Sequence, residues 1–497
     1  DLHVRSRRQR KMCIRDRRLF DLLEYQATNY PKEDAFVRKE KGKWIKYSTE
    51  DAIQHVNNIS LGLLELGIKK DDKVAIISIN RPEWNFVDYG IQQIGAVSVP
   101  MYPTITVKDY NYIFKDAGVK AVFVADKELY DKVKEATTDI SDILGVYTFD
   151  EVQGAKHWTE VEKLGESHSV DELKIKKAEV DETQLLTLIY TSGTTGKPKG
   201  VMLTHYNLMS NVMASKTIMP VNEDSIALSF LPLCHVYERM MSYLYVYSGV
   251  SIYYAQSMET IGENLKEVKP HIFSTVPRLL EKVYDKIYAK GLELTGLKRK
   301  LFFWALELGL RFELNKNQGF WYDFQLKLAN KLIFSKWREA LGGNVECITS
   351  GSAALQPRLA TVFWAANIPV LEGYGLTETS PVISVNHPQK ENVRIGTVGP
   401  LIEGIEVKIA EDGEILSRGP HIMQGYYNQP EKTAEVIDKD GWFHTGDIGK
   451  MVEGRFLKIT DRKKDQFKTS GGKYIFPQLL ENKYKESILI EQIMVVG

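Results

Sequence analysis

Residues 190–200, YTSGTTGKPKG, bring glycines, threonine and serine hydroxyls and two lysines into one turn. An apolar run from Leu185 to Tyr190 leads in and predicts a buried strand. The small residues after it let backbone N–H groups, hydroxyls and ammonium groups converge on an anion, which is the chemistry of a polyphosphate clamp. Thr191, Ser192, Gly193, Thr194, Thr195, Gly196 and Lys197 are the candidate ligands. The loop is not a Walker clamp, which needs four residues between its glycines and a Ser or Thr after the lysine. Here only Thr194 and Thr195 separate Gly193 from Gly196, and Pro198 follows Lys197, opposing a helix that would start on the loop. The bland alternative is a solvated glycine turn, against which stands the cost of so many donors and cations at one bend without an anion.

Five further segments follow the loop: LPLCHVYER at 231–239, TSGSAAL at 349–355, EGYGLTETSP at 372–381, DGWFHTGDIGK at 440–450 and DRKKDQFKTSGGKYIFP at 461–477. In this order and spacing the six resemble the AMP-forming acyl-adenylate superfamily, over nearly everything from about Leu19 onward. The 440–477 stretch is most similar to long-chain fatty acyl-CoA synthetases. The resemblance implies an α/β fold: a large N-terminal domain of doubly wound α/β layers with a β subdomain over 19–460, then a small C-terminal α+β domain. It also implies a two-step reaction in which a long-chain fatty acid and ATP, with Mg2+, give acyl-AMP and pyrophosphate, and CoA then displaces AMP. The alternatives are an acyl-AMP ligase that loads a carrier protein and a non-catalytic acyl- or nucleotide-binding protein.

Carboxylate attack on a phosphate brings negative charge onto negative charge, so cations and oriented donors are required where charge develops. By resemblance, Thr191 and Glu378 approach the magnesium ion, a hard cation that takes oxygen ligands. Without the surrounding segment, Glu378 would be read as a solvated charge. Tyr374 would stack on adenine and the Thr377 hydroxyl would meet the α-phosphate, with Glu372, Gly373 and Gly375 completing that turn. Gly351, Ser352 and Ala353 would pass the adenine and the acyl carbonyl. Asp447 matches a carboxylate that takes both ribose hydroxyls, a bidentate acceptor suited to a vicinal diol. Arg462 matches a second ribose or phosphate contact, Lys464 and Lys468 match nucleotide-contacting lysines, and Tyr474 lies near an aromatic that covers the nucleotide. His235 matches a histidine beside the acyl tunnel; the competing reading is a satisfied core histidine. Asp461 resembles the hinge of the C-terminal domain. Only 37 residues run from Asp461 to Gly497, under the roughly 40 that a lone domain needs. The reading is therefore a truncated domain that lacks the family's catalytic lysine, with impaired turnover.

Lys plus Arg and Asp plus Glu both total 65, so no global field draws nucleic acid. Three scattered cysteines, Cys13, Cys234 and Cys347, suit a reducing compartment without disulfide framework or zinc site, and the cytoplasm is the expectation. Residues 1–18 hold eight basic residues and almost nothing apolar, and are read as a non-native or disordered segment.

Beyond it, Leu19, Leu22, Leu23 and Ala27 have helical spacing. Val74 to Ile79, Ala96 to Val99 and Val119 to Ala125 predict strands. Pro82 opens a helix with Trp84, Val87, Ile91 and Ile94 on one face, and Asp126 caps another. The alternation points to α/β layers with ligands at strand C-terminal ends. Glu281 to Arg338 reads as a helical insertion rich in aromatics, from Phe302 to Trp337, with Lys282, Lys286, Lys290, Lys298, Arg299 and Lys300 among them. Two readings stand: peripheral membrane contact, or aromatics packed as core.

Overall fold

The computed structural model describes residues 18–191, 196–464, 467–468, 474–475, 477–484, 490 and 493–496. The basic run before Arg18 lies outside them. Arg18 is tied into the fold: it pairs with Asp21 at 2.8 Å and donates to the carbonyls of Lys177 and Val180. The helix Asp21–Asn29 buries Leu22 and Leu23 as their spacing predicts. Gln26, rather than Ala27, completes the buried face, its amide oxygen accepting from Thr49 Oγ1 at 3.0 Å.

Two eight-stranded sheets build the α/β architecture of the described residues. One has the order Val382–Val385, Val370–Gly375, Cys347–Ser350, Ile272–Thr275, Ile226–Ser229, Ser251–Tyr254, Phe36–Glu40, Lys43–Tyr47. Its six central strands are parallel and both edges antiparallel. The other runs Gly425–Tyr426, Lys199–Thr204, Leu185–Thr191, Val97–Met101, Lys73–Ile77, Val119–Val124, Gly145–Thr148, Lys156–His157. All five residues of Val97–Met101 are buried, as a strand covered on both faces requires. Asp126 caps its helix, accepting from the Leu129 N–H at 3.0 Å.

Pro82 occupies the first turn of the helix Pro82–Gln93. Sequence spacing predicts a single apolar face here, but the helix is buried on every side. It lies between the two sheets, against Phe36–Glu40 of one and Lys73–Ile77 and Val97–Met101 of the other. Its polar side chains must therefore be matched inside the protein. Asp88 holds the Arg239 guanidinium at 2.5 Å, with both side chains at most 1% exposed. Arg239 also donates to Thr187 Oγ1 at 2.7 Å. One buried pair thus joins this helix, the helix Val236–Tyr247 and the strand that feeds the phosphate loop.

The insertion is helical, as Pro277–Glu293, Gly296–Leu310, Phe320–Ala329 and a continuation through Asn330–Phe334 to Ser335–Ala340. Its aromatics divide. Phe302, Phe334 and Trp337 are buried, whereas Phe320, Trp321 and Phe324 face outward. A four-stranded antiparallel sheet, Glu406–Ile409, Glu414–Arg418, Phe443–Val452, Phe456–Arg462, carries the HTGD segment. After it come the short pair Phe467–Lys468 and Tyr474–Ile475 and the helix Pro477–Tyr484.

Candidate active site

The ends of the parallel strands meet at one cavity of about 320 Å3, in the position where α/β sheets present ligands. Ten of the sequence-predicted residues line it: Thr191, His235, Gly351, Ser352, Gly373, Tyr374, Gly375, Thr377, Glu378 and Arg462. Segments far apart in the chain are thereby collected at one wall. Ser192, Gly193, Thr194 and Thr195 lie outside the described residues.

Among the polar lining residues, Glu378 sits in the single turn Thr377–Thr379, and the Leu376 N–H donates to Thr379 Oγ1 at 2.8 Å. The turn is folded tightly. A Cβ on Gly375 would fall 1.7 Å from the Pro381 carbonyl oxygen, so this glycine is dictated by backbone crossing backbone. Tyr426 donates its hydroxyl to Glu378 Oε1 at 2.9 Å, and the Lys199 ammonium stands 4.3 Å above the Tyr426 ring. Burial depresses the Lys199 amine while Glu378 opposes that shift and Lys432 and Lys464 add to it. Lys197 instead lies over the ring of Tyr112, at 5.2 Å. Sequence reading put the first lysine of the loop, Lys197, among the candidate ligands; it is the second, Lys199, at the start of the strand Lys199–Thr204, that stands over the ring of Tyr426, the partner of Glu378. Among the described residues no group of three or more His, Cys, Asp or Glu could hold a metal ion. A magnesium ion at Glu378 fits this arrangement, since it keeps most of its shell as water and phosphate oxygens and needs one or two carboxylates from protein.

Asp447 is buried behind two lining residues: it accepts from the Tyr374 hydroxyl at 2.6 Å, while Arg462 Nε lies 3.5 Å from its other oxygen. Strand pairing sets Asp447 directly opposite Arg462. Burial raises the Asp447 carboxyl above its ordinary value, and Tyr374 and Arg462 counter that. Tyr374 therefore reaches Asp447 with its hydroxyl while its ring lines the cavity. Lys464 is exposed. Lys468 and Tyr474 are described by backbone alone, where they are direct partners in the short antiparallel pair. Asp461 is buried, its Oδ1 accepting from the Arg462 N–H at 2.7 Å.

The same cavity has an apolar lining of Met219, Met240, Met241, Leu371, Val382 and Val385. His235 also lines the cavity. It caps the helix Val236–Tyr247, Nδ1 accepting from the Tyr237 N–H at 3.2 Å, which leaves the neutral ring's proton on Nε2. Desolvation lowers its pKa. The loop that presents it is pinned by Asn80, whose side chain donates to Leu231 O at 2.6 Å and Ser229 Oγ at 2.9 Å and accepts from the Leu233 N–H at 3.0 Å. Asn80 has no motif around it and was not legible from sequence. Ala353 is exposed beside Ser352. Glu372 alternates with Leu371 and Gly373 and so turns to the other side of its strand. There it is buried, pushed up to about 8 by desolvation, with the backbone of Gly396 and Leu355 donating to it. Its contact is with the Gly351–Leu355 loop from behind.

A family model described as AMP-binding enzyme matches residues 23–427. Fatty acyl-CoA synthetase A of Dictyostelium discoideum is 33% identical over 492 residues, covering 92% of this chain and 70% of that protein. A long-chain-fatty-acid–CoA ligase of Mycobacterium bovis is 33% identical over 461 residues, covering 92% and 76%. Among solved structures, a Mycobacterium tuberculosis fatty acyl CoA synthetase superposes with a TM-score of 0.70 at 22% identity, covering 97% of this chain and 85% of that one; at that identity the likeness is one of fold. Sequence and fold agree along the same stretch that brings the loop, the turn and the strand ends together, and the chain belongs to the AMP-binding enzyme family.

Proposed function

We propose that the protein activates a long-chain fatty acid in two steps. A carboxylate oxygen attacks the α-phosphorus of ATP, the bond to the β-phosphate oxygen breaks, and pyrophosphate leaves. The CoA thiolate then attacks the acyl carbonyl and AMP departs with the carboxyl oxygen. The observation that carries this reading is a single cavity whose lining combines the charged Glu378 and Arg462 with Met219, Met240, Met241 and His235. The names of the two curated relatives support it. Thr191, Gly196 and Lys199 are assigned to the phosphates, Asp447 to the ribose diol, and Tyr374 to the adenine face. Magnesium, when bound with ATP, supplies neutralising charge to the phosphates; Glu378 holds it and Tyr426 orients Glu378. The cavity's methionines are unbranched and flexible, so they suit an acyl chain that must make its own room.

Each methylene taken out of water contributes about 0.8 kcal/mol, so binding favours hexadecanoate over acetate by many orders even when only part of the chain is buried. Pyrophosphate release with ATP and magnesium is expected to depend on hexadecanoate or octadecanoate and to be slow with acetate. Equal or faster release with acetate would sink the long-chain assignment.

The insertion supports a further partner, an anionic bilayer. Phe320, Trp321 and Phe324 are 85%, 67% and 50% exposed, and Leu328 and Leu332 continue the same stripe at steps of four. Trp304 Nε1 to Gln325 at 3.3 Å and Tyr322 to Leu308 O at 2.8 Å set the helix Gly296–Leu310 antiparallel to it. That arrangement brings the exposed Leu297, Lys298, Arg299 and Lys300 toward the Leu332 end, while Lys327, Lys331 and Lys336 flank the stripe. An apolar stripe edged by lysines suits an interfacial helix. Among the described residues no helix is long and apolar enough to cross a membrane. Changing Phe320, Trp321 and Phe324 together to alanine is expected to lower partition onto phosphatidylglycerol vesicles roughly tenfold or more, from the apolar area each ring buries. Unchanged partition in a flotation assay would overturn the assignment.

A further inference from the structure

Glu238 is a buried acid to which the proposed chemistry assigns nothing. It follows Tyr237 at the start of the helix Val236–Tyr247 and is 1% exposed. Its Oε2 has no hydrogen-bond partner among the described residues, and the hydroxyls of Ser229 and Ser274 lie against the carboxyl. Ser274 Oγ accepts from Thr349 Oγ1 at 3.2 Å, and Thr349 Oγ1 accepts from the Tyr237 hydroxyl at 2.7 Å. Tyr237 and Thr349 both line the cavity. The Tyr237 ring lies 3.4 Å from the point where Gly351 would carry a Cβ, so it forms the support beneath that loop. A hydrogen-bonded line thus runs from the cavity wall at Tyr237 through Thr349 to Ser274, which lies against the buried acid.

We propose that Glu238 is a positioning residue for the acyl group: it fixes Ser274, Thr349 and Tyr237 in one line, and so sets the wall against which the fatty-acid carboxylate and its first methylenes lie. The inference rests on the ligase reading and adds a residue to it that touches no reacting atom.

The surroundings of the acid favour the neutral form. Burial pushes it up to about 8, the two serine hydroxyls opposing. The titratable groups that face it are the phenols of Tyr237, Tyr245 and Tyr254, with the Cys347 thiol beyond Tyr237 and Tyr245, all raised by their own burial. Arg239, next in sequence, turns to Asp88. Ionisation would place an uncompensated charge inside the protein, a cost relieved only by moving the acid toward water and breaking the line. The folded protein keeps a proton that the unfolded chain releases above 4.5, so this group's contribution to stability falls as pH rises from there and levels off above about 8.

The test follows hexadecanoate-dependent pyrophosphate release and displacement of a fluorescent fatty acid from about pH 7 to about pH 9.5, the window that spans the acid's ionisation. Four proteins are compared: wild type, Glu238→Gln, Glu238→Ala and Tyr237→Phe. Absence of hexadecanoate-dependent release in the wild type would count against the ligase reading itself. With an active wild type, its apparent fatty-acid affinity is expected to fall about tenfold within one pH unit above the midpoint. Glu238→Gln, the isostere of the neutral acid, should keep the neutral-pH KM for hexadecanoate and abolish that alkaline loss. Tyr237→Phe, which adds no buried charge, should raise the fatty-acid KM about fivefold at every pH, the effect of one lost hydrogen bond. Glu238→Ala should raise the fatty-acid KM and leave the KM for ATP alone. The proposal is overturned if Glu238→Gln shows the wild-type alkaline loss, if Tyr237→Phe leaves the fatty-acid KM unchanged, or if Glu238→Ala raises both KM values alike.

Discussion

Replacing Glu378 with glutamine is expected to slow fatty-acid-dependent pyrophosphate release by about 10²- to 10³-fold, the cost of removing one preorganised group where charge develops. The substitution keeps size and one acceptor oxygen, so Tyr426 can still donate to it, and the fold of the Thr377–Thr379 turn is unaffected because that turn is held by Thr379 and by Met423 N–H on the Glu378 carbonyl. Only the negative charge is lost. Fatty-acid binding, measured by displacement without ATP, should be unchanged, and added magnesium should restore part of the rate if the carboxylate holds the ion. Turnover near the wild-type level would remove Glu378 from the chemistry and leave it a partner of Tyr426.

The second large effect concerns stability. Asp88→Ala would leave the Arg239 guanidinium, which is fully buried, without its counter-charge. Breaking a buried pair from one side costs about 3–5 kcal/mol, and the shift in urea unfolding midpoint at unchanged slope measures it. Arg239 would retain Thr187 and Tyr243 as acceptors, so local rearrangement is expected to reach the strand Leu185–Thr191 and raise the KM for ATP as well. A loss below about 1 kcal/mol, the level of an exposed pair, would show that water enters the site or that the helix shifts to expose the guanidinium.

What could be read from the sequence was what the chain decides locally. The strand Leu185–Thr191, the proline that opens Pro82–Gln93 and the Asp126 cap depend on neighbours a few residues away, and each is found. The all-round burial of Pro82–Gln93 was hidden, because Asp88 and Gln92 look like a solvent face until Arg239 and Tyr243 arrive from about 150 residues downstream. The same applies at the cavity. The motifs marked Glu378 and Asp447, but Tyr426, Asn80 and Tyr237 act through partners that no spacing reveals. Lys197 and Lys199 were indistinguishable as types, and the strand that begins at Lys199 separates them in space. In the insertion, aromatics at similar spacing fell on opposite sides of the helices, so composition alone could not divide core from surface.

The turn that carries Glu378 closes a door in sequence space. With the Pro381 carbonyl standing where any Cβ on residue 375 would be, no side chain can be tried there without dismantling the segment that carries the acid. Residue 375 itself is therefore closed to substitution. Room for a different acid has to be found elsewhere in the lining, where Met219, Met240 and Met241 can change shape without moving the backbone that carries Glu378.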